Sequence, residues 1–491
     1  MNIARAKEQL IETARAYFSK DEDGLYRIAP REQRPVLLMG PPGIGKTAIA
    51  EQAAQELGIG FLSYSMTHHT RQSALGLPLI EKRTFQGKEY AVSEYTMSEI
   101  IASVYELMEN TGVSEGILFL DEINCVSETL TPVMLQFLQY KIFGRHALPE
   151  GWMVVAAGNP PEYNRSAREF DIVTLDRLKV IHIEEDFEAW RRYSEENGIH
   201  PAVLSFLTGH RDRFYDVHTE GESTQFATAR GWSDLSEMLT VCEKEALSVN
   251  RDLIAQYIQH PQAAEEFSAF YDLYRKYQSD YRLEEILAGK EPEEIRERAK
   301  AASFDERWSL LMMLLRSVRR DVSEAVLQED VCRQLHETLV QVKGEEEGSP
   351  DWKDRLGICI KEKEARMERD RLRGARTKRS EKRGKRVLSF LKQCEASRDF
   401  DAVRAAFREQ VEKMKEAASL AKRKMENLFS FAETVWPEGT ELLMLVTQLS
   451  AGADSARFIA KYGSEGFQRN AGRLGLTNKR EQLLEEIAEI T

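Results

Sequence analysis

Over the first 187 residues, short apolar runs rich in β-branched residues alternate with stretches of helical periodicity. The runs predict strands at Val36 to Met39, Phe61 to Met66, Ile117 to Leu120, Met153 to Ala157 and Val180 to Ile183. Between them, apolar residues at helical spacing predict helices over Lys46 to Leu57, Ser98 to Asn110 and Leu130 to Tyr140. Strand and helix in alternation predict a parallel sheet with crossover helices. Two hairpins interrupt the rhythm, one around Thr84 to Ser93 turning at Gln86-Gly87, the other around Lys141 to Trp152 turning near Gly144. Beyond about Phe187 the strand signal stops. Helices are expected near Pro201 to Thr208, Ser233 to Ala246, Pro261 to Leu287 and Trp308 to Val318, with a last apolar helix around Glu441 to Leu449.

A chain of 491 residues, 42% hydrophobic and 30% charged, exceeds one compact core and predicts two to four domains. The net charge of -13 argues against a protein that coats nucleic acid by bulk charge and leaves room only for a local basic patch. Five cysteines, Cys125, Cys242, Cys332, Cys359 and Cys394, are scattered with no Cys-x-x-Cys pair. Neither a disulfide framework nor a zinc ribbon can be built from such neighbours, and a reducing cytosol fits them. No apolar run approaches the roughly 18 residues of a membrane span, so a cytoplasmic protein is expected, neither secreted nor membrane-spanning.

The chemistry concentrates at strand ends. Gly40, Pro41, Pro42, Gly43, Ile44, Gly45, Lys46 and Thr47 stand between the strand Val36 to Met39 and a helix. They satisfy the G-x-x-x-x-G-K-S/T pattern in its strand-loop-helix context. Gly40, Gly43 and Gly45 let backbone N–H groups turn toward phosphate, Lys46 can reach the β- and γ-phosphates, and the Thr47 hydroxyl can ligate Mg²⁺. The plain alternative, a glycine-rich turn with an incidental lysine, does not explain the flanking strand and helix.

Ile117 to Leu120 runs into Asp121 and Glu122, two acids at the carboxyl edge of the sheet. There Asp121 can hold the Mg²⁺ shell and Glu122 can orient and deprotonate an attacking water. Many buried strands end in an acid; pairing with the phosphate loop is what makes this one specific. Met153 to Ala157 leads to Asn159, which can hydrogen-bond a γ-phosphate or the lytic water, an Asn-Pro turn being the competing reading.

In chain order, Gly40 to Thr47, Asp121-Glu122, Asn159, Leu175-Asp176-Arg177 and Ala229-Arg230 resemble the AAA+ ATPases. The two added hairpins and the helical lid resemble the MoxR branch, near the dynein-related ATPases. The resemblance runs from the start to about Ala246. It implies that Asn159 is sensor 1, Arg177 an arginine finger reaching a neighbouring subunit's nucleotide, and Arg230 the sensor 2 arginine of the lid. The hairpin at Lys141 to Trp152 resembles the one preceding sensor 1. Arg168 and Arg165 compete for the finger role, and Arg177 also reads as a salt-bridge partner of Asp176 or Asp171. Arg230 also reads as a surface arginine before a helix that Ser233 would cap.

Other features carry less. His68-His69 has no third ligand in view and reads as loop structure, and Cys125 as a small buried residue. Thr477 to Arg480 lacks the aspartate that reads guanine in GTPases, so the expected cofactors are ATP and Mg²⁺. The basic run Arg371 to Arg386, opposed only by Glu381, can grip phosphates, yet no aromatic residue is interleaved to stack bases. Nucleic acid is therefore not favoured as a partner.

The expected architecture is an α/β P-loop NTPase of AAA+ type, a parallel sheet core with a helical lid and a long all-α C-terminal extension. The core spans 1–187, the lid and its helical continuation 188–343, an acidic linker 344–351 and the charged extension 352–491. The resemblance implies ATP hydrolysis by a homo-oligomeric ring, a hexamer, that remodels a separate partner protein, as MoxR-like ATPases do with proteins bearing a von Willebrand factor A domain. A P-loop kinase, a nucleic-acid-stimulated motor and a nucleotide-gated scaffold with little turnover are the rival classes.

Overall fold

The computed structural model describes residues 1–473 of the 491, apart from 69, 165, 221–222, 344–351, 375–376 and 438. His69, Arg165, the expected linker 344–351, Arg376 and the segment Thr477 to Arg480 thus lie outside the described residues. Packing divides the chain into two units, Met1–Ala189 with Lys363–Glu381, and Trp190–Glu362 with the chain from Lys382 onward.

The first unit is built on a five-stranded sheet of β1 (Val36–Met39), β2 (Gly60–Ser65), β5 (Gly116–Asp121), β8 (Trp152–Gly158) and β9 (Lys179–His182), in the order β2-β5-β8-β1-β9. All four pairings are parallel. Side chains alternate between faces, as period-two geometry requires. On one face Val36, Leu38, Ile117, Phe119, Val155 and Ala157 pack with the helices Ile3–Phe18 and Lys46–Leu57, burying Leu10, Ala14, Ile49 and Ala53. On the other, Leu37, Leu118, Leu120, Val154 and Ala156 pack with Ile100, Val104 and Phe137 of Glu99–Thr111 and Thr131–Tyr140. The result is a helix-sheet-helix sandwich.

Both expected hairpins form. β3 (Pro78–Phe85) pairs with β4 (Lys88–Tyr95) around Gln86-Gly87, both with positive φ, as a two-residue turn between twisted strands requires. β6 (Ile142–Phe143) pairs with β7 (His146–Ala147) around Gly144, φ 57°. The side chains of Arg83 and Arg145 both reach Glu94, which ties the two hairpins together.

Residues of the C-terminal extension complete this unit. The edge strand β2 has a neighbouring strand on one side only, and on the other Phe61 N–H donates to Arg373 O at 3.2 Å. Gln55 Nε2, on the phosphate-loop helix, donates to Gly374 O at 2.9 Å. The Arg373 guanidinium donates to Thr111 O at the end of a core helix. Within the basic run, Arg373 is thus a structural anchor.

The second unit is helical, with two corrections to the sequence reading. β10 (Asp216–Glu220) and β11 (Ser223–Ala227) form an antiparallel hairpin where no strand was expected, and β11 is further tied by Phe226 N–H to Gln259 O at 3.1 Å. The segment Pro261 to Leu287 is two helices, Pro261–Asp280 and Leu283–Ala288, parted at Arg282 with φ 43°. A single helix of 40 residues, Phe304–Lys343, carries Val331, Leu335 and Leu339 against Leu356, Ile360, Val387, Leu391 and Val403. The charged helices thus bury their apolar stripe on that long helix. Two more cations of the basic run are committed inside this unit, Lys382 Nζ and Arg386 Nη2 to Glu324 Oε2 at 3.1 and 3.2 Å.

Candidate functional site

The parallel register sets the carboxyl ends of four neighbouring strands side by side. Met39 pairs with Gly158, Leu120 with Ala156 and Ser65 with Asp121. Whatever follows these residues is delivered to one edge of the sheet, the ordinary place for a ligand in an open parallel sheet.

From β1 the loop Gly40 to Gly45 leaves the sheet, with Gly43 at φ 74° and Gly45 at φ 99°, conformations that a side chain resists. Gly40 has a steric requirement too, since a Cβ there would fall 2.5 Å from Ile183 O. The helix Lys46–Leu57 then starts without a side-chain cap on Gly45, leaving first-turn N–H groups as donors for an anion. Lys46, 8% exposed, donates through Nζ to Gly40 O at 2.7 Å, Pro41 O at 2.8 Å and Asn159 Oδ1 at 2.7 Å. Thr47 Oγ1 donates to Asp121 Oδ2 at 2.9 Å. A hydroxyl and a carboxylate at that separation are the hard oxygen donors that Mg²⁺ prefers.

Glu122 follows in the left-handed region, φ 55°, its N–H donating to Asp121 Oδ1 at 2.9 Å. Two hydroxyls hold its carboxylate, Thr67 Oγ1 at 2.9 Å and Ser65 Oγ at 3.2 Å. Sequence reading missed Ser65 and Thr67, because a hydroxyl at a strand end has no signature until the β2–β5 register is known. It also missed Asn124, 3% exposed, whose Nδ2 donates to Asn159 O at 2.8 Å. Cys125 is half-buried, not buried as expected; burial first, then the Glu122 and Asp121 charges, push its thiol up, so it stays protonated.

Lys46, Thr47, Asp121, Glu122 and Asn159 therefore meet at one edge, whereas Arg168 and Arg177 of the same unit make none of these hydrogen bonds. Arg177 is exposed after the short helix Ile172–Leu175 and takes no part in these hydrogen bonds. Arg168 is exposed and pairs with Glu128 at 2.8 Å. Arg230 belongs to the second unit and is exposed on the first turn of Ala229–Lys244. That helix starts earlier than expected, capped by Thr228 Oγ1 on Gly231 N at 3.2 Å, so Ser233 is not its cap.

Among the described residues, one cluster elsewhere has metal-ligand spacing, Asp216, His218 and His260 in the second unit. His260 Nδ1 accepts from Ala263 N at 3.2 Å, capping a helix, so its proton sits on Nε2, 3.1 Å from Asp216 Oδ2. An imidazole in that tautomer has no lone pair to offer a metal at Nε2.

Residues 36–171 match the model for the ATPase family associated with various cellular activities (AAA). Similar curated proteins include the ATP-dependent zinc metalloprotease FtsH of Hahella chejuensis, 39% identical over 64 residues, 13% of this chain and 10% of that protein. FtsH 4 of Sorangium cellulosum is 34% identical over 101 residues, 20% of this chain and 15% of that protein. The chain thus spans a small part of the length of these relatives. A mutant RuvB of Thermotoga maritima aligns at 16% identity over 52% of this chain and 69% of that one, with a TM-score of 0.28. Among the described residues, no helix is long and apolar enough to cross a membrane. With the phosphate loop, Asp121, Glu122 and Asn159 all inside the matched segment, the chain carries an AAA ATPase domain of P-loop NTPase fold.

Proposed function

We propose that this protein hydrolyses ATP and works as a homo-oligomeric ring that remodels or activates a separate partner protein, in the manner of the MoxR-like branch. The observation that carries the reading is the meeting of Lys46, Thr47, Asp121, Glu122 and Asn159 at one sheet edge. Lys46 and the N–H groups of Gly43 and Gly45 neutralise and orient the β- and γ-phosphates. Thr47 and Asp121 would hold Mg²⁺, which when bound offsets the charge developing on the phosphates. Glu122, kept in place by Ser65 and Thr67, takes the proton of the attacking water, and Asn159 orients that water or the γ-phosphate.

Ring assembly draws support from the surface around Arg177. Ile172 and Val173 are 82% and 55% exposed just before it, an apolar patch suited to a second copy of the chain beside an arginine that would complete the neighbour's site. Arg230 would serve as the lid arginine. The two tied hairpins support the MoxR-like assignment, and the partner, with or without a von Willebrand factor A domain, would be a separate chain.

Phosphate release with and without Mg²⁺, alongside the mass of the assembly in ATP and in ADP, tests the reading. Turnover by an ATP-dependent oligomer is expected. A monomer without turnover, or transfer of phosphate to an acceptor other than water, would overturn it.

A further inference from the structure

Asn124 sits where three functional segments cross. It lies in the one-turn 3₁₀ helix Ile123–Cys125 directly after Glu122 and is 3% exposed. Its Nδ2 donates to Asn159 O at 2.8 Å and faces Arg168 O at 3.4 Å. Its backbone carbonyl accepts from Arg168 N at 2.9 Å. Cys125 Sγ lies 3.8 Å from its Oδ1, so the amide has acceptors on its NH₂ side and a thiol on its carbonyl side, which fixes which way round it stands.

Gly158 confirms how closely this amide is packed. A Cβ at 158 would fall 2.7 Å from Asn124 Oδ1 and 2.9 Å from Met39 Sδ, so the residue before Asn159 has no side chain because Asn124 and Met39 occupy the space. Asn159 in turn reaches Lys46 Nζ through its own amide oxygen at 2.7 Å.

We infer that Asn124 is a positioning residue for ATP hydrolysis, holding the Asn159 backbone so that its side chain meets Lys46 and the γ-phosphate while tying the Arg168 segment to the acidic motif. The inference rests on the ATPase reading above. It implies that loss of the Asn124 amide frees Asn159 to turn while the phosphate loop and the acids stay in place. The damage therefore falls on turnover and spares nucleotide binding, since misplacement near 1 Å costs on the order of 100-fold in rate.

The experiment compares wild type, Asn124→Ala, Asn124→Ser, Gly158→Ala and the double Asn124→Ala/Gly158→Ala for kcat, KM for MgATP, thermal midpoint and amide exchange over 158–168. Expected is a fall in kcat of about 10- to 100-fold for Asn124→Ala, with KM within about threefold. Gly158→Ala, which pushes the intact amide aside and also crowds Met39, should lose at least as much. The double variant should be no slower than Gly158→Ala, since the Asn124 contact is already broken there. Asn124→Ser, which keeps one donor, should recover part of the rate. Additive losses in the double variant, or a folded Asn124→Ala or Asn124→Ser with unchanged kcat, would overturn the inference. An inactive wild type would sink the ATPase reading instead. In that case faster exchange over 158–168 in Asn124→Ala or Gly158→Ala would still support the contact, and unchanged exchange in both would refute it.

Discussion

Lys46 and Asn159 are 113 residues apart in the chain, and Lys46 Nζ donates to Asn159 Oδ1 at 2.7 Å. The bond exists because β1 and β8 are sheet neighbours in register, Met39 beside Gly158, so the loop after one strand and the residue after the other emerge together. The lysine proposed to bind phosphate and the proposed sensor of the γ-phosphate are thereby in direct contact.

Lys46→Ala is expected to abolish nucleotide binding, because on the proposed reading the buried ammonium would be the chief counter-charge to the phosphates. Glu122→Gln should keep binding and lose turnover by roughly 100- to 10,000-fold, since the amide still accepts from Ser65 and Thr67 but cannot take a proton. Isothermal titration with ATP beside a phosphate-release assay separates the two. Unchanged hydrolysis by Glu122→Gln would remove that residue from the mechanism.

For the arginine finger, Arg168 is already paired with Glu128, whereas exposed Arg177 follows the apolar patch at Ile172 and Val173. Mixed rings of Arg177→Ala and Lys46→Ala subunits should regain activity at interfaces that join an intact finger to an intact loop. Each parent should be down on the order of 10³- to 10⁵-fold. Recovery only in mixtures made with Arg168→Ala would transfer the role to Arg168.

The basic run gives a stability expectation in place of a binding one. Glu324→Gln leaves Lys382 and Arg386 without their shared carboxylate and is expected to lower stability by about 1–2 kcal/mol. Chemical denaturation measures it. Salt-sensitive DNA or RNA binding that disappears in a folded Arg379→Glu/Arg383→Glu form would restore the nucleic-acid reading.

Lys141, 8% exposed, donates to Pro30 O at 2.9 Å with no carboxylate beside it among the described residues, and burial pushes its ammonium down to about 8 from 10.5. Below pH 8 both folded and unfolded chains carry the charge and the burial cost is fully felt. Between pH 8 and 10.5 the unfolded chain holds more protons than the folded one, so this residue's contribution to stability rises with pH. The stability difference between wild type and Lys141→Met should therefore shift by about 3 kcal/mol across that window, in favour of wild type at high pH. Parallel pH profiles for the two proteins would refute the burial argument.

What could be read from local pattern was whatever one short segment specifies alone. The phosphate loop is eight consecutive residues whose demands, positive φ at Gly43 and Gly45 and a helix start at Lys46, are met inside the segment. The sheet strands are apolar because both their faces are covered, so β1, β5 and β8 announced themselves by composition. Folding assigned the rest through pairing partners, most of them distant in the chain. β10 and β11 are short and polar and hold by pairing with each other and with Gln259, so no apolar run marked them. Ser65, Thr67 and Asn124 are ordinary polar residues until strand register sets them against Glu122 and Asn159. Arg373 looked like one charge among many in a basic run, yet its guanidinium caps Thr111, 262 residues away. A hydrogen-bonding side chain carries its chemistry in its type, but which group it meets depends on sheet order and helix packing, and those are settled by burial of the whole apolar surface at once.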